Sequence, residues 1–417
     1  MGYSVKSIAD NTFRSNPNIV YVDLNNKPYN MRYGFAHSYN LITVEGINEN
    51  TTDLSDAFEY CYALKEVNIP ASVTSVCNTF YACHNLINAP EIPSTVVNMC
   101  NTFYSCTNLI NAPAIPDSVT DLSGTFYYCT NLTNIPTIPN SVINLSQTFS
   151  GCTNLVNAPI IPNSVTTMNG TFSGCINLTH APSIPNSVVI LVQAFSNCYN
   201  LVNGPRLSNN TTNMASAFYN CTKLNTICTI PNSVDDMTHT FYNCTNLVNI
   251  PTLPNSVTKM ISTFQGCTNL VYINSLPSYV TSLIRCFSGC TNLTTAPIIP
   301  ENVTTMYMTF QHCTNLTGDI LIKSTEIIST YGCFEGTTLQ KNVYIPFTYE
   351  NSVYTNTYNE FHNRYGAGEN GVILKDTTGE PITEYRDAGY VDEQVLNIIS
   401  AGDIDETVTV VKDAGRF

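Results

Sequence analysis

Residues 132–154 read Leu-Thr-Asn-Ile-Pro-Thr-Ile-Pro-Asn-Ser-Val-Ile-Asn-Leu-Ser-Gln-Thr-Phe-Ser-Gly-Cys-Thr-Asn, and variants of these 23 letters recur along most of the chain. Phe103, Phe126, Phe149, Phe172, Phe195, Phe218, Phe241, Phe264, Phe287 and Phe310 follow one another at intervals of 23 residues. Cys106, Cys129, Cys152, Cys175, Cys198, Cys221, Cys244, Cys267, Cys290 and Cys313 keep step three residues behind. A fixed period of this size describes a solenoid, in which each repeat buries its apolar face only by stacking on its neighbours. A stack presents a long surface rather than a closed pocket, which points to binding or scaffolding.

Within the quoted coil, Leu132, Ile135 and Ile138 follow at intervals of three and face the core. Pro139, with φ fixed, and the bend-forming Asn140 and Ser141 make a turn. Val142 and Leu145 read as a second short extended piece. The i, i+3 spacing of Phe149 and Cys152 predicts a short helical or 3₁₀ turn over Gln147–Cys152, with both side chains inward. Asn stands before the coil leucine at Asn108, Asn131, Asn154, Asn177, Asn200, Asn246, Asn269, Asn292 and Asn315. Stacked in register, these amides can bond one another and the turn backbone. That stacking role explains them more simply than glycosylation of sequons such as Asn131-Leu-Thr.

The Ile-Pro-x-Ser-Val element followed by Ala/Thr-Phe-x-x-Cys-x-x-Leu resembles the BspA-type leucine-rich repeats, from about Phe13 to Phe334. The end coils depart from it. Phe35 is followed by Ser38 in place of Cys, Phe58 to Phe80 spans 22 residues, and Phe334 lies 24 after Phe310 with Thr337 in the Cys place. The resemblance implies an α/β repeat solenoid, a leucine-rich-repeat rod of about fourteen coils of 22–24 residues with a small C-terminal cap. It also implies adhesion or partner binding, since such repeats occur in bacterial and protist surface proteins and in gut bacteriophages.

The expected organisation is atypical N-terminal capping coils over 1–57, a regular solenoid over 58–339, a small cap over 340–376 and an acidic appendage over 377–417. The cap is read from a strand at 341–349, a helix at 354–365 and a strand at 371–375. The appendage is expected to hold a helix at 391–400 and a strand at 407–411 and to act as a docking segment.

Charge supports a passive binder. Charged residues make up 11% of the chain, against about 25% for ordinary soluble domains. The net charge of −14 argues against nucleic acid and anionic membranes. Between Phe80 and Leu316 there are 6 acids and 4 bases, whereas Lys341–Phe417 holds 13 acids and 6 bases. The acidity is concentrated behind a nearly neutral body.

The repeated cysteines, with Cys61 and Cys83 in the same position, read as reduced core residues. Equivalent side chains point the same way, which is the wrong orientation for a bridge. The N-terminal Met-Gly-Tyr-Ser-Val-Lys suggests neither a signal peptide nor a membrane span.

No catalytic constellation emerges. Gly366-Ala-Gly-Glu-Asn-Gly371 spells a dinucleotide fingerprint but precedes a strand, the reverse of what such a site needs. His84 and His312 adjoin ladder cysteines without zinc-site spacing. Carboxylates in the body are too sparse for paired acid–base work. The expectation is no enzyme, no cofactor and no metal.

The candidate binding face is the row two residues after the coil leucine, largely Asn, broken by His180 and Tyr272. Arg206 is the single cation of the row five after the leucine, and Arg and Tyr favour interfaces. A second surface carries Tyr81, Tyr104, Tyr127, Tyr128, Tyr219 and Tyr242, suited to a neighbouring subunit or to packing over the adjacent turn. Together these readings suggest a tailed-bacteriophage virion component made in the host cytoplasm. It would bind a host-surface glycan or protein, or neighbouring virion proteins through the C-terminal region, and an oligomer in the virion is a further expectation. A bacterial cell-surface or secreted adhesin is the alternative.

Overall fold

The structure, a computed structural model, describes residues 11–27, 29–337, 341–346, 357, 360–361 and 372–375. The chain forms two compact units, Met1–Ile382 and Thr383–Phe417, and every described residue belongs to the first. The appendage expected at 377–417, its helix and strand, the Gly366–Gly371 run and most of the helix expected at 354–365 lie outside the described residues.

The first unit is a stack of coils in parallel register. At its N-terminal end β1 (Tyr21–Asp23), β2 (Thr43–Glu45) and β3 (Glu66–Val67) form a parallel sheet, pairing Tyr21 with Thr43 and Thr43 with Glu66. Further on, single parallel bridges join the coils along two edges, unbroken on the valine edge and intermittent on the leucine edge. The leucine edge (132–135 in the quoted coil) carries Asn111 to Asn134 and Asn157 to His180 to Asn203. The valine edge (142–145) carries Ser75 to Asn98 to Asp121 to Asn144, and so on to Ser329. At the other end β4 (Ile320–Leu321), β5 (Lys341–Tyr344) and β6 (Val372–Lys375) form a second parallel sheet. The two cap strands thus continue the register of the coils.

The core is a column of rings. From Phe13 to Phe334, successive phenylalanines stack with centroids 5.1–6.0 Å apart. That spacing exceeds the ~4.8 Å rise of a parallel rung, as offset stacking requires. Phe361 of the cap packs on Phe334 and closes the column, 6.5 Å away and tilted. Glu360 accepts bonds from the Thr330 amide and hydroxyl, and the Thr357 hydroxyl donates to the Ser324 carbonyl, so the cap is pinned by polar contacts as well.

The helical turn expected at Gln147–Cys152 is absent, and a run of tight turns stands there instead. Two residues per coil, placed two before and two after the Phe, take left-handed φ, as Gln147 (56°) and Gly151 (73°) do here. A right-handed helix cannot run through such residues. The amides then alternate in direction. Those of Gln147, Phe149 and Gly151 donate to Asn169, Thr171 and Ser173 of the next coil, while those of Thr148, Ser150 and Cys152 close turns on Leu145, Gln147 and Phe149. Every amide of the segment is satisfied without a helix. The turn expected at Pro139–Ser141 is present, with the Val142 amide on the Pro139 carbonyl. Its Ser141 hydroxyl reaches back one coil to the Val119 carbonyl.

Two side-chain ladders lock coil to coil, and a third set of bonds fixes the turn within each coil. Cys61, Cys83 and the Cys106–Cys313 series are buried, and each thiol donates to the carbonyl of the preceding coil's Phe, as Cys152 does to Phe126 at 3.1 Å. Ser38, in the Cys place of its coil, makes the same bond to Phe13 at 2.6 Å. The position therefore selects a small donor rather than only a small hydrophobe. The buried threonine before the Phe bonds the coil behind, as Thr148 does to the Leu122 carbonyl at 2.8 Å. Asn or Asp on the valine edge caps the amide two residues on, as in Asn144 to Ser146 and Asp121 to Ser123.

Candidate binding face

Side chains that the stack leaves exposed can meet a partner. On the leucine edge the leucine points inward and the next two residues point out. The first of these outward positions is aliphatic in many coils: Ile87, Ile110, Val156, Val202 and Val248 are all exposed. The second is the row of Asn88, Asn111, Asn134, Asn157, His180, Asn203, Thr226, Asn249, Tyr272 and Thr295, every one exposed, as its outward reading requires. Adjacent members bond one another, with Asn134 Nδ2 donating to Asn111 Oδ1 at 2.7 Å and Thr226 Oγ1 to Asn203 Oδ1 at 2.6 Å. The asparagines before the leucine also form side-chain pairs, longer at 3.3–3.4 Å. Five residues after the leucine, Ile160 is 89% exposed and Ile298 is exposed as well. The edge is thus a strip of amides beside apolar side chains, nearly free of charge.

His180, Arg206 and Tyr272 all lie on this strip and all are exposed. His180 Nδ1 lies 2.9 Å from Thr179 Oγ1. Arg206 belongs to the next coil, and Tyr272 to a coil three further on. At ~4.8 Å per rung, Tyr272 is about 19 Å from His180 along the stack. The three residues mark an extended footprint, with only His180 and Arg206 on neighbouring coils.

The second surface behaves differently. Tyr81, Tyr104 and Tyr127 are half-buried and stack face to face at 4.3 and 4.4 Å, as Tyr219 and Tyr242 do at 4.6 Å. Burial, then the neighbouring phenols, raises Tyr104 above its ordinary pKa and keeps it neutral. Their faces are occupied by one another, so packing along the stack is their main role. The N-terminal coils extend the pattern in a way the sequence reading missed. Tyr39, Tyr62 and His84 stack at 5.2 and 4.7 Å, and His37 stacks on Tyr60 at 4.8 Å. The signal was available, because Tyr39, Tyr62 and His84 each follow a column Phe by four residues.

The ladder thiols are chemically quiet. Burial pushes Cys61 up to about 12 and raises Cys106, Cys152 and Cys198 well above the ordinary thiol value. They stay protonated, with the proton committed to a carbonyl, and are poor nucleophiles. Among the described residues, no three His, Cys, Asp or Glu side chains gather as a metal site would require. A groove of about 560 Å³ lies along β2 and β3, with Glu45, Glu49 and Glu66 beside Ile47, Ile69 and Pro70 in its lining. Among the described residues no helix is long and apolar enough to cross a membrane.

A family model, the BspA type leucine rich repeat region, matches six copies, over residues 1–87, 77–202, 122–248 and 237–363. This chain belongs to the BspA-type leucine-rich-repeat family. The BspA-type coil accounts for both the phenylalanine column and the two bridged edges. Among solved structures, a leucine-rich repeat protein from Bacteroides ovatus aligns with a TM-score of 0.61 at 24% identity, over 90% of this chain and 88% of that one. That likeness is one of fold. A leucine rich cell surface protein from Faecalibacterium prausnitzii aligns with a TM-score of 0.44 at 26% identity, over 68% of this chain and 83% of its own. No curated protein matches the chain.

Proposed function

We propose that this BspA-type chain is a non-catalytic binding protein that grips a weakly charged cell-surface glycan or protein along its leucine edge. The observation that carries the reading is the exposed aliphatic row of Ile87, Ile110, Val156, Val202 and Val248, beside a bonded row of amides. The core does not use these side chains, and exposed apolar rows bordered by polar groups mark interaction surfaces. Amides offer donors and acceptors to hydroxyls or peptide groups, while Arg206 and Tyr272 supply the side-chain types that dominate interfaces. The full chain is to be screened on glycan arrays and on bacterial cells, then compared with a V156D/V202D/V248D variant of the same circular dichroism. A tenfold or greater loss of binding is expected; equal binding rejects the leucine edge. The His180→Ala, Arg206→Ala, Tyr272→Ala triple variant tests the three marker residues in the same assay.

The setting we favour is the virion of a tailed bacteriophage. What supports it is the set of seventeen unpaired cysteines, which suits assembly in a reducing cytoplasm. Display on a bacterial surface is the alternative, in keeping with the adhesive use of the family. Mass spectrometry of purified phage particles beside cell-envelope fractions separates them: enrichment in particles supports the first, enrichment in envelopes the second.

A further inference from the structure

We propose that Cys77 and Cys100 are a site of disulfide formation, a covalent staple across two adjacent coils. The site is independent of the binding reading. The two residues hold equivalent places 23 apart, on the run from the valine edge into the phenylalanine turn. Side chains of the core ladder run parallel and cannot bridge, but here the two sulfurs lean toward each other and stand 2.7 Å apart, closer than the ~4.8 Å spacing of the rungs that carry them. Residues on neighbouring rungs are ~4.8 Å apart, inside the roughly 4.4–6.8 Å Cα range of disulfides. Both side chains are half-exposed, so a small reagent can reach them.

This pair differs from the core ladder in each property that exchange needs. Ladder thiols are buried and donate to phenylalanine carbonyls, whereas Cys77 and Cys100 are part-exposed and contact each other through sulfur. The Cys100 bond lowers the pKa of Cys77 against the opposing effect of burial, and the same bond, then burial, raises Cys100. Two accessible thiols in contact supply both an attacker and a resolving partner. Further along the same row stand Ser123 and Ser146, so the position accepts serine.

The oxidant is a low-molecular-weight disulfide such as oxidised glutathione. The Cys77 thiolate attacks one of its sulfurs, its S–S bond breaks, and one small thiolate leaves. Cys100 then loses its proton to water and attacks Cys77 Sγ in the mixed disulfide, expelling the second small thiolate. Two protein thiols are oxidised and one small disulfide is reduced to two thiols. The bridge joins the coils that carry the stacked Tyr81 and Tyr104.

The test uses the folded full chain in glutathione redox buffers, quenched with acid, alkylated under denaturing conditions and digested without reductant. Cleavage after Glu91 separates the two cysteines, and cleavage after Tyr81 separates Cys77 from Cys83. The expected result is a linked peptide pair joining Cys77 to Cys100, with loss of two alkylatable thiols. Either C77S or C100S should abolish it. Two outcomes overturn the proposal: both thiols fully alkylated at every poise that glutathionylates exposed Cys228, or Cys77 halted as a mixed disulfide with glutathione.

Discussion

Replacing Phe195 with alanine tests the ring column at its middle. Phe195 is fully buried, 5.5 Å from Phe172 and 5.6 Å from Phe218 by ring centroid. Phe→Ala in a packed core costs about 3–5 kcal/mol, and each aromatic contact contributes about 0.5–1.5 kcal/mol beyond area burial. Two stacks are lost here, and inter-coil bonds such as Phe195 N to Ala217 O hold the neighbours so that the site collapses poorly. The upper end applies, about 5 kcal/mol. Hydrogen exchange read by mass spectrometry is the suitable assay, because unfolding of a long repeat array need not be two-state. Protection of amides in the coils of Phe172, Phe195 and Phe218 should fall by a factor on the order of 10³. The loss should fade with distance and leave the coil of Phe310 little changed, as nearest-neighbour coupling requires. The half-buried terminal ring of Phe13 should tolerate alanine far better than Phe195 does. A loss below about tenfold at Phe195, or one spread evenly over the chain, would refute the column as the source of coil cohesion.

Thr148→Ala, which removes a buried bond to the Leu122 carbonyl, should lower stability by about 0.5–1.5 kcal/mol in chemical denaturation. Gly174→Ala, at a φ of +72° with ordinary space around a new Cβ, should cost about 1–2 kcal/mol through backbone strain alone, seen as a lower melting temperature. Alkaline pH should destabilise the chain. Because the folded ladder thiols titrate above their unfolded value, their contribution is complete below about pH 8.5 and is lost as pH rises, through about 12 for Cys61. Denaturant midpoints measured from pH 8 to 11 should fall, and fall less steeply in a C106S/C129S/C152S variant.

Period, ring column and inward cysteines were legible because a solenoid repeats its core letter for letter. The turn at Gln147–Cys152 is hidden in the sequence because Phe149 and Cys152 mimic helical spacing. Its left-handed positions are filled by residues as unlike as Tyr60, Gln147, Arg285 and Gly174. No glycine pattern announces such a turn when inter-coil bonds enforce it. The donor role of the cysteine row shows only in three dimensions, where Ser38 makes the same bond. On the leucine edge the amide row was found from its offset. The aliphatic row beside it is not legible, since Val156 or Ile110 in a periodic pattern reads as core until the coil geometry turns it outward.

The in-register stack is tested most directly by counting the thiols that a small alkylating reagent reaches in the folded chain. Cys228 should react at once, Cys77 and Cys100 more slowly, and the ladder from Cys61 to Cys313 only after denaturant is added. Rapid labelling of the ladder under native conditions would contradict the account, because coils stacked on a buried phenylalanine column leave those sulfurs no path to solvent.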